Sequence, residues 1–248
     1  MSARRPPEQR RFQFGSLGIT RGALIIAGLE LGLSLVWLLS NVEARATIAS
    51  YVLATPHNVF EEGRVWTLVT SPFLEIDFIG LILHLIVLWM FVPTLERFWG
   101  TARFYRFVGI TSVVGTVVGT LVGLALGEMN SAIHGLNPFI YASIVAFGII
   151  YARQPVQFFG VLPLTGRQLM YGFIGFLILF VGLQQLWAQG AAFAAAMVTA
   201  ALMTSKRWSP GLALKRWRIQ RARAKLTVMQ GGKPPTKPGP RDENKWLN

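Results

Sequence analysis

Six long apolar runs, separated by short charged segments, constrain this chain more than any other feature. They fall at about 22–40, 77–94, 104–126, 137–152, 168–187 and 190–204. A helix that crosses the roughly 30 Å hydrocarbon core needs about 20 apolar residues. The fourth and sixth runs are short, which suits helices shielded by neighbours. Composition agrees: 52% of the 248 residues are hydrophobic and 14% charged, against about a quarter charged in soluble domains. The expected fold is all-α, a six-helix polytopic membrane bundle over residues 22–204. Basic tails flank it at 1–21 and 205–248.

The charges predict an orientation. Arg4, Arg5, Arg10, Arg11 and Arg21 outweigh Glu8 before the first run, and twelve Lys or Arg follow Met203 against Asp242 and Glu243. Arg97, Arg103 and Arg106 fall in one connection, Arg153 and Arg167 in another. The first connection is instead acidic, with Glu43, Glu61, Glu62, Glu75 and Asp77 against Arg45 and Arg64. Lys and Arg accumulate on the cytoplasmic side, so both termini are expected there, as an even helix count requires. The first run is long, begins late and lacks a small-x-small cleavage site, so it reads as a retained helix and not a signal peptide. The chain has no cysteine, which excludes disulfides and thiolate chemistry.

A family pattern is visible from the first connection onward. Trp66-Thr67, Thr70-Ser71-Pro72-Phe73-Leu74, Leu88-Trp89, Pro93-Thr94-Leu95-Glu96-Arg97 and Gly100 resemble the first loop and second helix of rhomboid intramembrane proteases, and the resemblance covers about 20–205. It implies a six-helix rhomboid-like fold. Rhomboids cut peptide bonds with a Gly-x-Ser-Gly serine on the fourth helix and a histidine on the sixth. The hydroxyl needs that base to become a nucleophile, and side chains of the second helix help to stabilise the oxyanion.

At those positions the chain departs. Aligned on Glu96, Gly80 stands where the family has histidine and His84 where it has asparagine. Gly135-Leu136-Asn137-Pro138 replaces Gly-x-Ser-Gly, and Gln189-Gly190-Ala191-Ala192 replaces the segment that begins with histidine. An amide is neither nucleophile nor general base near neutral pH. No histidine follows His134. The alternative is an active serine protease using Ser143, from a second register over Tyr141–Gly148, with His84 as base. Thr70–Glu75, Leu95–Gly100 and Ile133-His134-Gly135 are in addition similar to the eukaryotic Golgi rhomboid-like family that lacks the dyad.

The resulting expectation is a non-catalytic rhomboid-like pseudoprotease. It would bind transmembrane segments or membrane-protein clients and affect their stability or traffic. Glu30, His84, His134, Asn137 and Gln189 would line a polar cleft between the second and fifth helices. Intramembrane ionisable groups default to functional hypotheses, although a satisfied structural hydrogen bond also accounts for Glu30 and His84. Asn137 before Pro138 reads as a helix N-cap. The three histidines have no second ligand at helical spacing, so neither a metal nor a cofactor is expected. Neither an inverted repeat nor a pair of broken helices points to a transporter.

Gly115, Gly119 and Gly123 on the third helix, and Ala192, Ala196 and Ala200 on the sixth, form small-residue stripes. Such faces let helices approach closely and are expected to put these two helices at the bundle centre. Tyr51, Phe60, Trp66 and Phe73 in the first loop suit the headgroup level. The 205–225 segment, with Trp208 and Trp217 among Arg216, Arg218, Arg221 and Arg223, suits anionic lipid headgroups better than nucleic acid, and 231–244 reads as disordered. The expected setting is a bacterial plasma membrane, alternatively Golgi or ER.

Overall fold

A computed structural model describes residues 12–13, 18–158, 162–205 and 221. The readings of lipid binding over 205–225 and of disorder over 231–244 fall, apart from Ser205 and Arg221, outside the described residues. In chain order the elements are β1 (Phe12–Gln13), α1 (Arg21–Leu39), α2 (Val42–Val52), α3 (Thr67–Thr70), α4 (Phe78–Trp99), α5 (Thr101–Ala125), α6 (Asn137–Ile150), β2 (Pro155–Phe158), β3 (Leu162–Thr165), α7 (Gly166–Gln184) and α8 (Trp187–Thr204).

Helices α1, α4, α5, α7 and α8 are each long and apolar enough to cross a membrane. The chain is therefore an all-α polytopic membrane protein, as its apolar runs predict. Helix α6 has 14 residues, about 21 Å at the standard rise, which is short of the roughly 30 Å apolar core. It is tolerated because protein surrounds it. Helices α4, α5, α7 and α8 all pack on α6, and Phe139, Ala142, Ala146 and Phe147 are fully buried. Phe147 sits edge-on to Phe91 of α4 at 5.3 Å. Helix α6 is thus enclosed by α4, α5, α7 and α8.

The small-residue stripes bring α5 and α8 together, in the most extensive helix pairing of the fold. A Cβ on Gly119 would lie 2.7 Å from Ala192 Cβ, 2.9 Å from Ile133 Cδ1 and 3.0 Å from the Ala188 carbonyl. One on Gly115 would lie 2.6 Å from Pro138 Cβ and 3.0 Å from the Ala192 carbonyl. Buried hydroxyls on α5 bond back along the helix, Thr111 to Phe107, Thr116 to Ser112 and Thr120 to Thr116. In this way they are satisfied without leaving the helix.

Glu96, near the end of α4, closes one face of the bundle. Its carboxylate accepts from Gly22 N at 3.1 Å, Ala23 N at 3.0 Å, Thr101 Oγ1 at 2.9 Å and the Thr20 hydroxyl. Thr20, the N-cap residue of α1, makes no capping bond of its own, so Glu96 caps that helix from a neighbour. A negative charge is well placed there, because free N–H groups and the helix dipole both favour it. Arg97 adds a bond to the Gly18 carbonyl at 2.8 Å. The same face carries a small sheet. Strand β1 pairs with β2 in parallel and β2 with β3 antiparallel, with Val156 opposite both Phe12 and Leu164.

At the opposite end, the first connection is folded and not an open loop. It contains α2, a π-helical turn at His57–Glu61, α3 and a 3-10 turn at Ser71–Phe73. Side chains hold it to backbone: Asn58 Nδ2 donates to Leu53 O at 2.9 Å, Arg64 Nη1 to Ser50 O at 2.7 Å and Trp66 Nε1 to Tyr51 O at 3.0 Å. Tyr51, Phe60 and Trp66 are exposed and Phe73 half-buried.

The seam between α5 and α8 makes a direct prediction. Gly119→Ala is expected to cost about 1–3 kcal/mol through overpacking and to lower the unfolding temperature of the purified protein in detergent. Gly109→Ala, where a new Cβ meets nothing within 4 Å, is expected to leave it unchanged or slightly raised. Equal melting of the two variants would show that the seam is not tight.

Candidate functional site

Three segments far apart in the chain meet at a buried polar cluster. Helix α1 supplies Glu30 and, one turn on, Ser34. Helix α4 supplies His84, the connection before α4 supplies Glu75, and the segment leading into α6 supplies His134 and Asn137. Glu30, Glu75 and His84 are all buried, Glu30 completely. His84 Nδ1 lies 2.6 Å from Glu30 Oε1 and 3.6 Å from Glu75 Oε2. Its Nε2 lies 2.9 Å from Asn137 Oδ1. His134 Nδ1 lies 3.1 Å from Glu75 Oε1.

The hydrogen bonds fix the histidine tautomer. Asn137 Nδ2 faces two acceptors, Glu75 Oε2 at 3.4 Å and the His134 carbonyl at 3.3 Å. Its oxygen therefore faces His84 and must accept from Nε2–H. Nδ1 then points its remaining position at two carboxylates, and the 2.6 Å contact with Glu30 requires a shared cation, a proton at the least. Leu136 N adds a bond to Glu30 Oε1 at 3.3 Å, while Glu30 Oε2 is buried with no hydrogen-bond partner among the described residues. Burial on its own would raise the Glu75 carboxyl, but His134 and then His84 beside it, with the Asp77 amide, hold it below the usual glutamate value.

The backbone is shaped around this cluster. The Ser71 hydroxyl donates to the Ile133 carbonyl, and Gly135 N donates to Ser71 O at 3.1 Å and Leu74 O at 2.9 Å. Gly135 has a φ of +66°, and a Cβ there would run into the Glu75 carboxylate and come within 2.9 Å of His84 Cε1. The connections before α4 and before α6 are thus clamped to each other, with Glu75 between them. Ser34 Oγ accepts from Glu75 N at 2.9 Å, which ties the same connection to α1.

A cavity of about 270 Å³ opens beside the cluster, lined by Glu75, Gly80, His84, His134, Asn137 and Gln189 on its polar side. Tyr141, Phe180, Leu186 and Phe193 form its apolar side. Gln189 Nε2 donates to Ala132 O at 3.4 Å, and Gln189 Oε1 is buried with no partner among the described residues. Helix α7 packs on α6 and more lightly on α8 but has no substantial contact with α4, so the cavity lies beside a gap between α4 and α7.

The sequence from 25 to 205 matches the model of a family described as eukaryotic integral membrane protein, DUF1751. The chain belongs to this family. The match contains every residue of the cluster and all six apolar runs except the first three residues of the first. A search of curated proteins finds no match. The DUF1751 description is of eukaryotic proteins, which conflicts with the bacterial plasma membrane expected from the basic tail.

Within this DUF1751 domain, the five residues singled out in the sequence converge: Glu30, His84, His134 and Asn137 in the cluster and Gln189 across the cavity. Asn137 is not the N-cap that its place before Pro138 suggested. It is the first helical residue of α6 after Leu136, which frees its side chain to bridge His84 and Glu75. Ser143 lies six residues further on, about 9 Å along α6. It is fully buried, donates to the Ile140 carbonyl at 2.7 Å and does not line the cavity. Both nitrogens of His84 are committed elsewhere, and among the described residues no histidine is bonded to Ser143. Glu75 was missed as a site residue because it sits in an acidic connection. Its signal was the Phe-Leu-Glu stretch, read only as part of a family pattern.

The cluster is a set of buried charges that hold one another. His84→Ala leaves two carboxylates facing across a void, and is expected to cost about 3–5 kcal/mol, as breaking a buried pair does. Adding Glu30→Gln to that variant removes one stranded charge and is expected to restore much of the loss. Thermal unfolding of the two single variants and the double variant gives the coupling. Additive effects would mean that the histidine and the carboxylate act independently.

Proposed function

We propose that this protein is a rhomboid-like membrane protein without protease chemistry that binds transmembrane segments of client proteins and affects their stability or traffic. The observation that carries this reading is the cavity beside the α4–α7 gap. Its polar wall of Glu75, His84, His134, Asn137 and Gln189 faces apolar side chains of α7 and α8. A polar side chain on a passing helix would find hydrogen-bond partners here, in a setting where few exist. Shape and polar contacts, and not bond breaking, are what such a site offers, because its amides and committed histidine supply no nucleophile.

Helix α7 suits the part of a lateral wall. Its outer face carries Phe176, Ile178, Leu179 and Leu183, all exposed. With the positive-inside charge pattern, both termini lie in the cytoplasm in this reading. The cavity then lies toward the opposite face, lumenal if the compartment is Golgi or ER as the family's eukaryotic description favours. The basic segment over 205–225 would hold anionic headgroups on the cytoplasmic side.

Site-specific photo-cross-linking in native membranes tests this. A probe at Phe180, inside the cavity, is expected to capture a defined set of membrane proteins. A probe at Ile178, two residues away and 66% exposed, is expected to capture lipid or nothing in common with that set. Capture at Phe180 should weaken several-fold in Asn137→Ala and Gln189→Ala. Identical products from both probes, or products indifferent to those substitutions, would discard client binding at this cavity.

A further inference from the structure

We infer that Glu30, Glu75 and His84 form a binding site for a divalent transition-metal ion of the zinc type. This goes beyond client binding and is independent of it, and it reverses the expectation from sequence that no metal site exists. Spacing along one helix hid the site, since its ligands come from α1, the connection before α4, and α4 itself.

Three observations carry the inference. The first is geometry. One potential ligand atom from each of the three residues lies within 4.8 Å of the other two. The 3.6 Å between His84 Nδ1 and Glu75 Oε2 is close to the roughly 3.4 Å edge of a tetrahedron of ligands about 2.1 Å from a zinc ion. The closer contact, 2.6 Å between Nδ1 and Glu30 Oε1, is a proton-sharing distance that an ion would replace.

The second is an unsatisfied acceptor. Glu30 is completely buried and its Oε2 has no hydrogen-bond partner among the described residues. A buried carboxylate oxygen without a partner is costly, and a bound cation is the partner that carboxylate chemistry favours.

The third is the surrounding hydrogen bonding. A metal-bound imidazole characteristically donates its other N–H to a carbonyl or carboxylate, which fixes the tautomer and aims the lone pair. Here Nε2–H is held by Asn137 Oδ1 at 2.9 Å, so Nδ1 faces the two carboxylates. Glu75 has a charge partner on its other side, with Oε1 3.1 Å from His134 Nδ1. The set is nitrogen and oxygen only, with imidazole present, which favours zinc and its first-row neighbours over magnesium or calcium. Glu75 and His84 also line the cavity, so the ion would form part of its floor.

The test is equilibrium dialysis of the full chain, purified in detergent without a histidine tag, against zinc and separately against cobalt, followed by elemental analysis and visible absorption. The expected result is one ion per chain, with cobalt bands of a four- or five-coordinate nitrogen–oxygen site. Glu30→Gln and Glu75→Gln should each weaken binding at least tenfold, and Asn137→Ala about 10–100-fold, the usual effect of removing a supporting partner. The competing site on the molecule is exposed: His57 pairs with Glu61 and lies 3.5 Å from Glu62. His57→Ala is therefore the control and should leave the stoichiometry at one. Binding lost in His57→Ala but kept in Glu30→Gln would overturn the inference. So would the absence of stoichiometric binding in the folded wild-type protein, which would mean that a proton alone holds the cluster. Folding of each variant is followed by its elution profile and unfolding temperature. Zinc should raise that temperature in the wild type and not in Glu30→Gln.

Discussion

His84 between Glu30 and Glu75 is the interaction on which the rest of this face depends. Ionisable groups within a bilayer are expensive and survive only when they pair with one another. Here His84 meets Glu30 from 54 residues away, and the Asn137 amide reaches Glu75 across 62. The ring of His84 is held from both nitrogens, so α4 cannot rotate without breaking contact with α1 or α6. The two connections that meet over the cluster are then fastened by backbone, through the Ser71 hydroxyl and the amide of Gly135. A polar knot therefore sets the relative positions of three helices.

Between lipid-embedded helices there is little hydrophobic drive, since acyl chains are as apolar as leucine. Two other devices supply the cohesion. One is close approach, seen where Gly115 and Gly119 leave no room for a Cβ beside α8. The other is a carboxylate at each end of the α1–α4 pair: Glu96 caps α1 on one face, and Glu30 meets His84 nearer the other. Helix α7 has no equivalent among its described contacts. It is held by apolar contacts with α6 and, lightly, α8, and by a capping box of Thr165 and Gln168 at its own start. The bundle is thus polar-locked at α1, α4 and α6 and only packed at α7. The gap that exposes the cavity lies on the side that lacks a lock.

Much of the architecture was legible in the sequence because membrane helices announce themselves by length and apolarity. All six runs became helices with ends within a few residues, except that α4 continues through Pro93 to Trp99. What was not legible came from interactions across the chain. Helix α2 carries Glu43 and Arg45, too polar for an apolar run, and its start depends on a local cap by Asn41. Strands β2 and β3 are four residues each, too short for a pattern to speak. At the site, intramembrane rarity drew attention to Glu30 and His84. Glu75 looked like one acid among several, and only the fold shows that it is buried while Glu43, Glu61 and Glu62 are not. The enclosure of α6 was hidden for the opposite reason: a helix apolar on all sides gives no direction.

The chemistry of the cavity limits what can occupy it. Its polar wall offers acceptors more than donors. Glu75 is a carboxyl held below the usual glutamate value by the histidines beside it, and Gln189 presents a buried oxygen with no partner among the described residues. The donors of Asn137 and His84 are spent within the cluster. A guest with N–H groups or positive charge is therefore favoured over one that brings a carboxylate. The carbonyls of a regular helix, already bonded internally, would gain little. A client recognised here would present a donor side chain from an apolar helix, and a metal ion would meet the same preference one layer deeper. The two can be told apart because Glu30 does not line the cavity. An ion needs Glu30, whereas a side chain arriving through the α4–α7 gap meets the lining residues Glu75, His84, His134, Asn137 and Gln189. Dependence on Glu30 thus separates what the cluster binds from what the cavity binds.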